Sequence, residues 1–199
     1  MVFRTLYNGI DLERYPYQEK KGNRLLFIGR MEPFKGAHLA LHVAVALRMP
    51  LDFIGKDHDT NQEYVKQLKA QIEAAKTAGH DIQYLGEVDH ETKLKYLQNA
   101  KALLFPALWS EPFGLVPIEA MAVGTPPICM TAGALPEIVA HGRTGWLAQN
   151  VDELINFTVK ADQISPAECR KHVEEKFSAE VMASAYLDCW RRILKGEGW

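Results

Sequence analysis

The sequence predicts an α/β chain in which a parallel sheet is covered by helices on both faces. Two observations carry that expectation. Short apolar runs alternate with longer amphipathic ones from residue 25 to residue 130, the order that builds strand–helix–strand units. Three of the short runs also close on glycine, at Gly29, Gly55 and Gly86. Right-handed crossovers then give a doubly wound, Rossmann-like layer, with any ligand beyond the carboxyl ends of the strands. Glycines at that edge let the backbone approach a ligand closely, or simply turn the chain.

The elements follow in order. Residues 25–29 (LLFIG) read as the first strand, and 36–48 (GAHLALHVAVALR) as a helix apolar on most faces, hence packed on both sides. Residues 51–55 (LDFIG) give the second strand. Residues 61–78 give a helix with Val65, Leu68, Ile72 and Ala75 on one stripe and charged residues opposite. Residues 81–86 (DIQYLG) are the third strand, 90–99 a short helix and 102–106 (ALLFP) the fourth strand. Residues 116–122 (VPIEAMA) open a helix, and 127–130 (PICM) form the fifth strand. Beyond it, 146–148 reads as an edge strand and 151–161 as a helix. Ser165-Pro166 places a capping serine before a proline at the first helical position. Ser178 caps the last helix, whose apolar stripe runs through Val181, Met182, Ala185, Cys189 and Ile193, flanked by Tyr186 and Trp190. The chain thus divides into a lead (1–22), a Rossmann-like domain (23–176) and a C-terminal helix (177–199).

Composition narrows the function. A chain of 199 residues, 47% apolar, buries a core without staples. A formal net charge of −2 argues against a nucleic-acid partner, which calls for a basic excess. Cys129, Cys169 and Cys189 form no C-x-x-C pair and read as buried free thiols in a reducing compartment. No apolar run approaches the ~20 residues of a membrane span. The N-terminus lacks a signal peptide's apolar stretch. The expected location is the cytoplasm.

Residues 110–125 (SEPFGLVPIEAMAVGT) carry the most chemistry. Glu111 sits in the loop after the fourth strand, and a helix starts shortly after Gly114. Pro117 suits a first helical position, which leaves backbone N–H groups near Gly114, Leu115 and Val116 free to attract an anion. Glu119 is expected in the first helical turn. Two carboxylates bracketing such a nest accept hydrogen bonds from sugar or ribose hydroxyls, so the pattern suits a nucleotide-sugar. The plainer alternative has Glu119 favouring its helix N-terminus and Glu111 solvated in a loop.

EPFGLVPIEAMAVGTPPI, with Glu111 and Glu119 separated by seven residues, resembles the E-x7-E motif of retaining GT-B glycosyltransferases of the family-four group (glycosyl transferases group 1). Three further segments match in order. Asn8-Gly9-Ile10-Asp11 resembles NG(V/I)D, and Gly29-Arg30 followed by Lys35-Gly36 resembles GR…KG. Pro136-Glu137-Ile138-Val139 with Gly142, and then Thr144-Gly145, resembles PEIV…G…TG. The resemblance implies half of a GT-B fold, retaining transfer of a hexose-type sugar from a nucleoside diphosphate sugar to a hydroxyl, and no metal cofactor. UDP is the default nucleotide. By the same resemblance Arg30 and Lys35 face the diphosphate, Glu111 the donor sugar and Glu119 the ribose diol, with backbone N–H groups of Phe113, Gly114 and Leu115 completing the pocket beside Gly29. The base is placed near Gly55, Lys56 and the loop from Leu85 to Val88, because those segments leave neighbouring strands. Retention can run through a glutamate nucleophile or front-face attack, and front-face attack is the expectation, because the motif carboxylates have binding roles.

The departures from the family are also informative. The chain starts near the NGID motif, so it corresponds to the donor-binding half, and an N-terminal acceptor-binding domain is the expected partner. A non-catalytic nucleotide-sugar-binding module, or a half-enzyme needing that partner, is the alternative; a GT-B epimerase runs against the E-x7-E match. Pro117 stands where an aliphatic residue is usual, and Ala132-Gly133 where Gly-Gly is common. Other signals carry less. Asp57-His58-Asp59 spells D-x-D, a metal-and-diphosphate signature of a different glycosyltransferase fold, and is frequent by chance. His38 and His42 have helical i, i+4 spacing but no H-E-x-x-H glutamate. Arg191, Arg192 and Lys195 favour a helix C-terminus, or a peripheral membrane contact of a full enzyme. Trp109 and Trp146 are candidates for either the site or the core.

Overall fold

A computed structural model describes residues 5–57 and 61–196. Six strands form one sheet: β1 (Leu25–Ile28), β2 (Leu51–Ile54), β3 (Ile82–Gly86), β4 (Ala102–Phe105), β5 (Pro127–Met130) and β6 (Trp146–Ala148). Their order is β3-β2-β1-β4-β5-β6, and every adjacent pair is parallel. This is a doubly wound α/β fold, as the alternation of elements predicts. The strand sequence reverses direction between β1 and β4, and the loops leaving those two strands part to opposite faces and open a crevice.

Helices α1 (Ala37–Leu47), α2 (Gln62–Thr77) and α6 (Val151–Val159) cover one face. Helices α3 (His90–Asn99), α4 (Leu115–Ala122) and α7 (Pro166–Lys176) cover the other, with the single-turn α5 (Leu135–Ile138). The pleat explains the two cores. Leu25, Phe27, Leu51 and Phe53 point to the first helix layer. Leu26, Ile28, Ile54, Leu103 and Phe105 alternate with them and point to the second. A sheet buried on both sides needs apolar residues at successive positions, so β1 reads LLFI without alternation. Asp52 breaks that pattern in β2. It is 3% exposed, and the Arg24 guanidinium satisfies it with hydrogen bonds of 2.6, 2.9 and 3.0 Å; Arg24 also pairs with Asp81.

The C-terminal elements follow the capping signals. Ser165 Oγ accepts from Glu168 N, and Pro166 opens α7. Ser178 Oγ accepts from Val181 N at 3.2 Å and caps α8 (Ala179–Leu194). The expected α8 stripe is only partly covered. Cys189 is buried, but Ile193, with Tyr186, Leu187, Trp190 and Leu194, is exposed, because α8 packs on α7 along one flank and, among the described residues, its other flank is left uncovered. The three cysteines are free and buried. Among the described residues no helix is long and apolar enough to cross a membrane.

Candidate functional site

The loops after β1 and β4 are drawn together by backbone contacts. Leu108 N donates to the Phe34 carbonyl at 2.7 Å. Gly36 (φ +76°) lies so close to the Pro106 carbonyl that a Cβ would collide with it. The resulting cleft, about 300 Å³, is lined by Gly29, Arg30, Lys35, Glu111, Phe113, Gly114 and Leu115, among others. Seven of the residues named from sequence, from segments some 80 residues apart, therefore share one opening.

Within it, Lys35 and Glu111 hold each other. Lys35 ends the short 3-10 turn Pro33–Lys35, and its Nζ donates to Glu111 Oε2 at 2.8 Å, with the side chains only 14% and 13% exposed. Trp109 joins them twice: its Nε1 donates to the same Oε2 at 2.9 Å, and Lys35 Nζ sits 4.5 Å from its ring centroid. Glu111 is fixed from behind by Gly133. The Glu111 carbonyl accepts from Ala134 N at 2.9 Å. Gly133 has φ +56°, and a Cβ there would run into the Glu111 backbone. Arg30, 52% exposed, pairs with the buried Glu32 at 3.3 Å.

Helix α4 opens on Gly114 in a left-handed conformation with no side-chain cap. Its first-turn N–H groups thus have no intrahelical acceptor. The start differs from expectation by two residues. Leu115 is the first helical residue, which makes Pro117 the third. Proline is still tolerated there, because a third-position N–H has no intrahelical partner. The same shift moves Glu119 out of the first turn. It lies one turn deeper on the face shared with Leu115 and Val116, is not part of the cleft lining, and is already engaged. Lys93 Nζ, from the first turn of α3, donates to Oε1 at 2.9 Å and Oε2 at 2.8 Å. Tyr15 Oη donates to Oε1 at 2.8 Å. Burial, and then the Glu119 charge, push the Tyr15 phenol far above its ordinary range, so it remains a donor.

The remaining candidates are not among the residues that line the cleft, although Gly55 adjoins one of them. Gly55 packs its Cα against the Gly29 carbonyl and donates N–H to the Gly86 carbonyl at 2.9 Å. The Lys56 carbonyl accepts from Met31 N at 3.0 Å. Leu85 and Val88 pack on the core. Trp146, at the start of β6, stacks on Phe157 of α6 with centroids 4.8 Å apart, which assigns it to packing. Of the D-x-D triplet, His58 and Asp59 lie outside the described residues, and Asp57 is held by Lys69 at 2.5 Å and by Tyr84. His38 Nδ1 contacts Tyr64 Oη at 3.0 Å, and no cluster of metal-ligating side chains occurs among the described residues. Sequence reasoning misses Tyr15, Lys93 and Gly133 as residues of the site. In sequence Lys93 is one charge on a solvated helix and Tyr15 one aromatic in a lead; only Gly133, beside the PEIV segment, carries a signal.

The comparisons agree with this architecture. The family model for glycosyl transferases group 1 matches residues 11–164. A glycogen synthase of Mycobacterium tuberculosis is 28% identical over 211 residues, covering 97% of this chain and 49% of that protein, so the chain spans about half the length of that relative. The structure of Anabaena Alr3699/HepE in complex with UDP and glucose superposes with a TM-score of 0.82 at 20% identity, covering 94% of this chain and 56% of that one. The C-terminal domain of a glycosyl transferase group 1 protein (LpcC) from Francisella tularensis superposes with a TM-score of 0.74 at 19% identity, covering 86% of this chain and all of that one. With the family model spanning all six strands of the sheet and the helix that follows Glu111, the chain belongs to the glycosyl transferases group 1 family.

Proposed function

We propose that this chain binds a nucleoside diphosphate sugar, by default a UDP-sugar, and forms the donor half of a retaining glycosyltransferase that passes a hexose-type sugar to a hydroxyl acceptor. One observation carries the reading: Arg30, Lys35, Glu111 and the uncapped start of α4 meet in a single cleft between β1 and β4. Breaking the bond from the anomeric carbon to the diphosphate builds negative charge on the leaving group. Cations and N–H dipoles already aimed at that charge lower the barrier. Lys35 supplies a point charge, Arg30 a planar fork, and α4 the positive end of its dipole. These supply the positive charge without a metal. Lys35 exchanges its bond to Glu111 for one to phosphate, and that exchange frees the Glu111 carboxylate for donor sugar hydroxyls. Front-face attack, with the leaving phosphate taking the acceptor's proton, leaves both motif glutamates their binding roles. The acceptor would be held by an N-terminal domain outside this chain, in the cytoplasm; without one, the chain is a nucleotide-sugar-binding module.

The test is a thermal-shift panel of UDP, GDP, ADP and dTDP and their sugars. A ligand at one hundred times its Kd stabilises by about 2.7 kcal/mol, equivalent to roughly 5–11 °C for a chain of this size. Arg30→Ala should weaken UDP far more than uridine. A panel in which no nucleotide raises Tm, or equal losses for UDP and uridine, refutes the assignment.

A further inference from the structure

Residues 134–137 grip the loop that leads into α4 at three points. Ala134 N donates to the Glu111 carbonyl at 2.9 Å. Leu135 lies against Gly114, its Cδ2 3.0 Å from where a Cβ would stand. The third grip falls on Phe113 and is indirect. Glu137 Oε2 accepts from Tyr7 Oη at 2.7 Å, and the Tyr7 ring lies beside Phe113 with centroids 6.3 Å apart. The buried Phe177 meets both rings edge-on, 5.6 Å from Tyr7 and 6.2 Å from Phe113, within the range of favourable ring contacts. The lead that carries Tyr7 is pinned at the same place: Ile10 N donates to the Phe177 carbonyl, and Ala179 N to the Ile10 carbonyl, both at 2.9 Å. The bond to Glu137, and then burial, raise the Tyr7 phenol above its ordinary range, so it remains a donor.

We propose that Tyr7 is a positioning residue of the cleft: tied to Glu137, its ring holds Phe113 and so aims the N–H groups at the start of α4 at a bound diphosphate. The inference rests on the donor reading above and deepens it. Phe113 and Gly114 line the cleft, whereas Tyr7 and Glu137 do not, so the pair acts only through Phe113. Gly114 needs this help. It has φ +112°, and helix α4 starts on it with no side-chain cap. A glycine has no side chain to fix its own torsions, so its neighbours set the direction of the first-turn N–H groups. Donors already aimed at a charge bind it better than donors that must be ordered first. Releasing Tyr7 therefore costs affinity for the diphosphate and leaves the nucleoside's own contacts alone.

The experiment has two arms, on three variants. Tyr7→Phe keeps the ring and removes the hydroxyl; Glu137→Ala removes the acceptor; Glu137→Gln keeps an oxygen that accepts from Tyr7. The first arm needs no ligand and follows hydrogen exchange at the Ala134 amide, which is bonded to the Glu111 carbonyl. Tyr7→Phe and Glu137→Ala should speed it about fivefold or more by local opening, with amides of β1 and β4 unchanged. Glu137→Gln should stay within about twofold of the wild type. The second arm measures Kd for UDP and uridine, or for GDP and guanosine if the thermal-shift panel selects GDP. The same two variants should weaken the diphosphate about fivefold or more and the nucleoside by less than about twofold. A merely structural role would raise exchange at Ala134 and in the sheet together and cost both ligands alike. That pattern, an Ala134 rate unmoved by both variants, or a Glu137→Gln protein as fast in exchange as Glu137→Ala, overturns the inference while the donor reading stands. Failure of every nucleotide to bind the wild type sinks the donor reading and the aim at a diphosphate, and the exchange arm still decides whether Tyr7 holds the loop.

Discussion

Removing the Lys35 ammonium with Lys35→Met perturbs the centre of the cleft. The pair stands at 2.8 Å, where the gross Coulomb attraction at an effective dielectric constant near 20 is about 6 kcal/mol. Desolvation of both groups offsets much of that. The variant, however, leaves Glu111 with its charge and, among the described residues, the Trp109 N–H as its remaining side-chain partner, and also forfeits the contact with the Trp109 ring, worth about 1 kcal/mol. The expected loss is about 2–4 kcal/mol for the unpaired, largely covered carboxylate. Urea unfolding followed by far-UV circular dichroism reads this as a midpoint about 1 M lower, for a slope of about 2–3 kcal/mol/M. Glu111→Gln, combined with Lys35→Met, closes a double-mutant cycle. Once the carboxylate is neutral, losing the ammonium costs much less, so the double variant should be more stable than the sum of the singles by more than about 1 kcal/mol. Additivity within about 0.5 kcal/mol would show that the two side chains are not coupled and refute a cleft organised around their ion pair.

Two other consequences can be measured on the same protein. Gly133→Ala forces an alanine into a left-handed conformation, at about 1–2 kcal/mol, and drives its Cβ into the Glu111 backbone; stability should fall by at least that much, and UDP affinity should fall with it because the Glu111 loop must shift, whereas a variant with wild-type stability and binding would show that the loop is not braced there. Burial, with Arg143 and Lys176 nearby, holds the His172 imidazole below its ordinary pKa, and the neutral ring donates from Nε2 to the Ile138 carbonyl at 2.9 Å. The unfolded chain takes up a proton at this residue as pH falls through about 6.5 while the native state does not, so stability present above that pH is lost toward acid. His172→Asn should flatten the drop in urea midpoint between pH 7.5 and 5.0, and an identical drop in both proteins would contradict that assignment.

Local signals reached far into this fold. The runs LLFI and ALLF read as strands buried on both faces, because nothing in them alternates; LDFI follows the same pattern except at Asp52. Gly114 and the nearby proline marked the start of α4, but with a two-residue error, since proline tolerates any of the first positions of a helix and local sequence does not separate them. Residue type also placed Arg30, Lys35 and Glu111 in one motif set. It did not show that Lys35 and Glu111 bind each other. It did not show that Glu119 is already held by Tyr15 and Lys93, which lie 104 and 26 residues away in sequence. Trp109 could be read either way until its N–H was seen on Glu111.

The amino-acid order by itself determined which segments are strands and helices, that the sheet is parallel, and which residue types end its strands, because hydrophobic period and turn chemistry act between near neighbours along the chain. Only the tertiary structure decided who meets whom at the strand ends. That follows from β1 lying beside β4, a pairing that brings Gly29 to Lys35 against Glu111 to Leu115, and from the lead folding back so that Tyr15 reaches Glu119. Such contacts depend on strand order and loop path, which no window of sequence encodes.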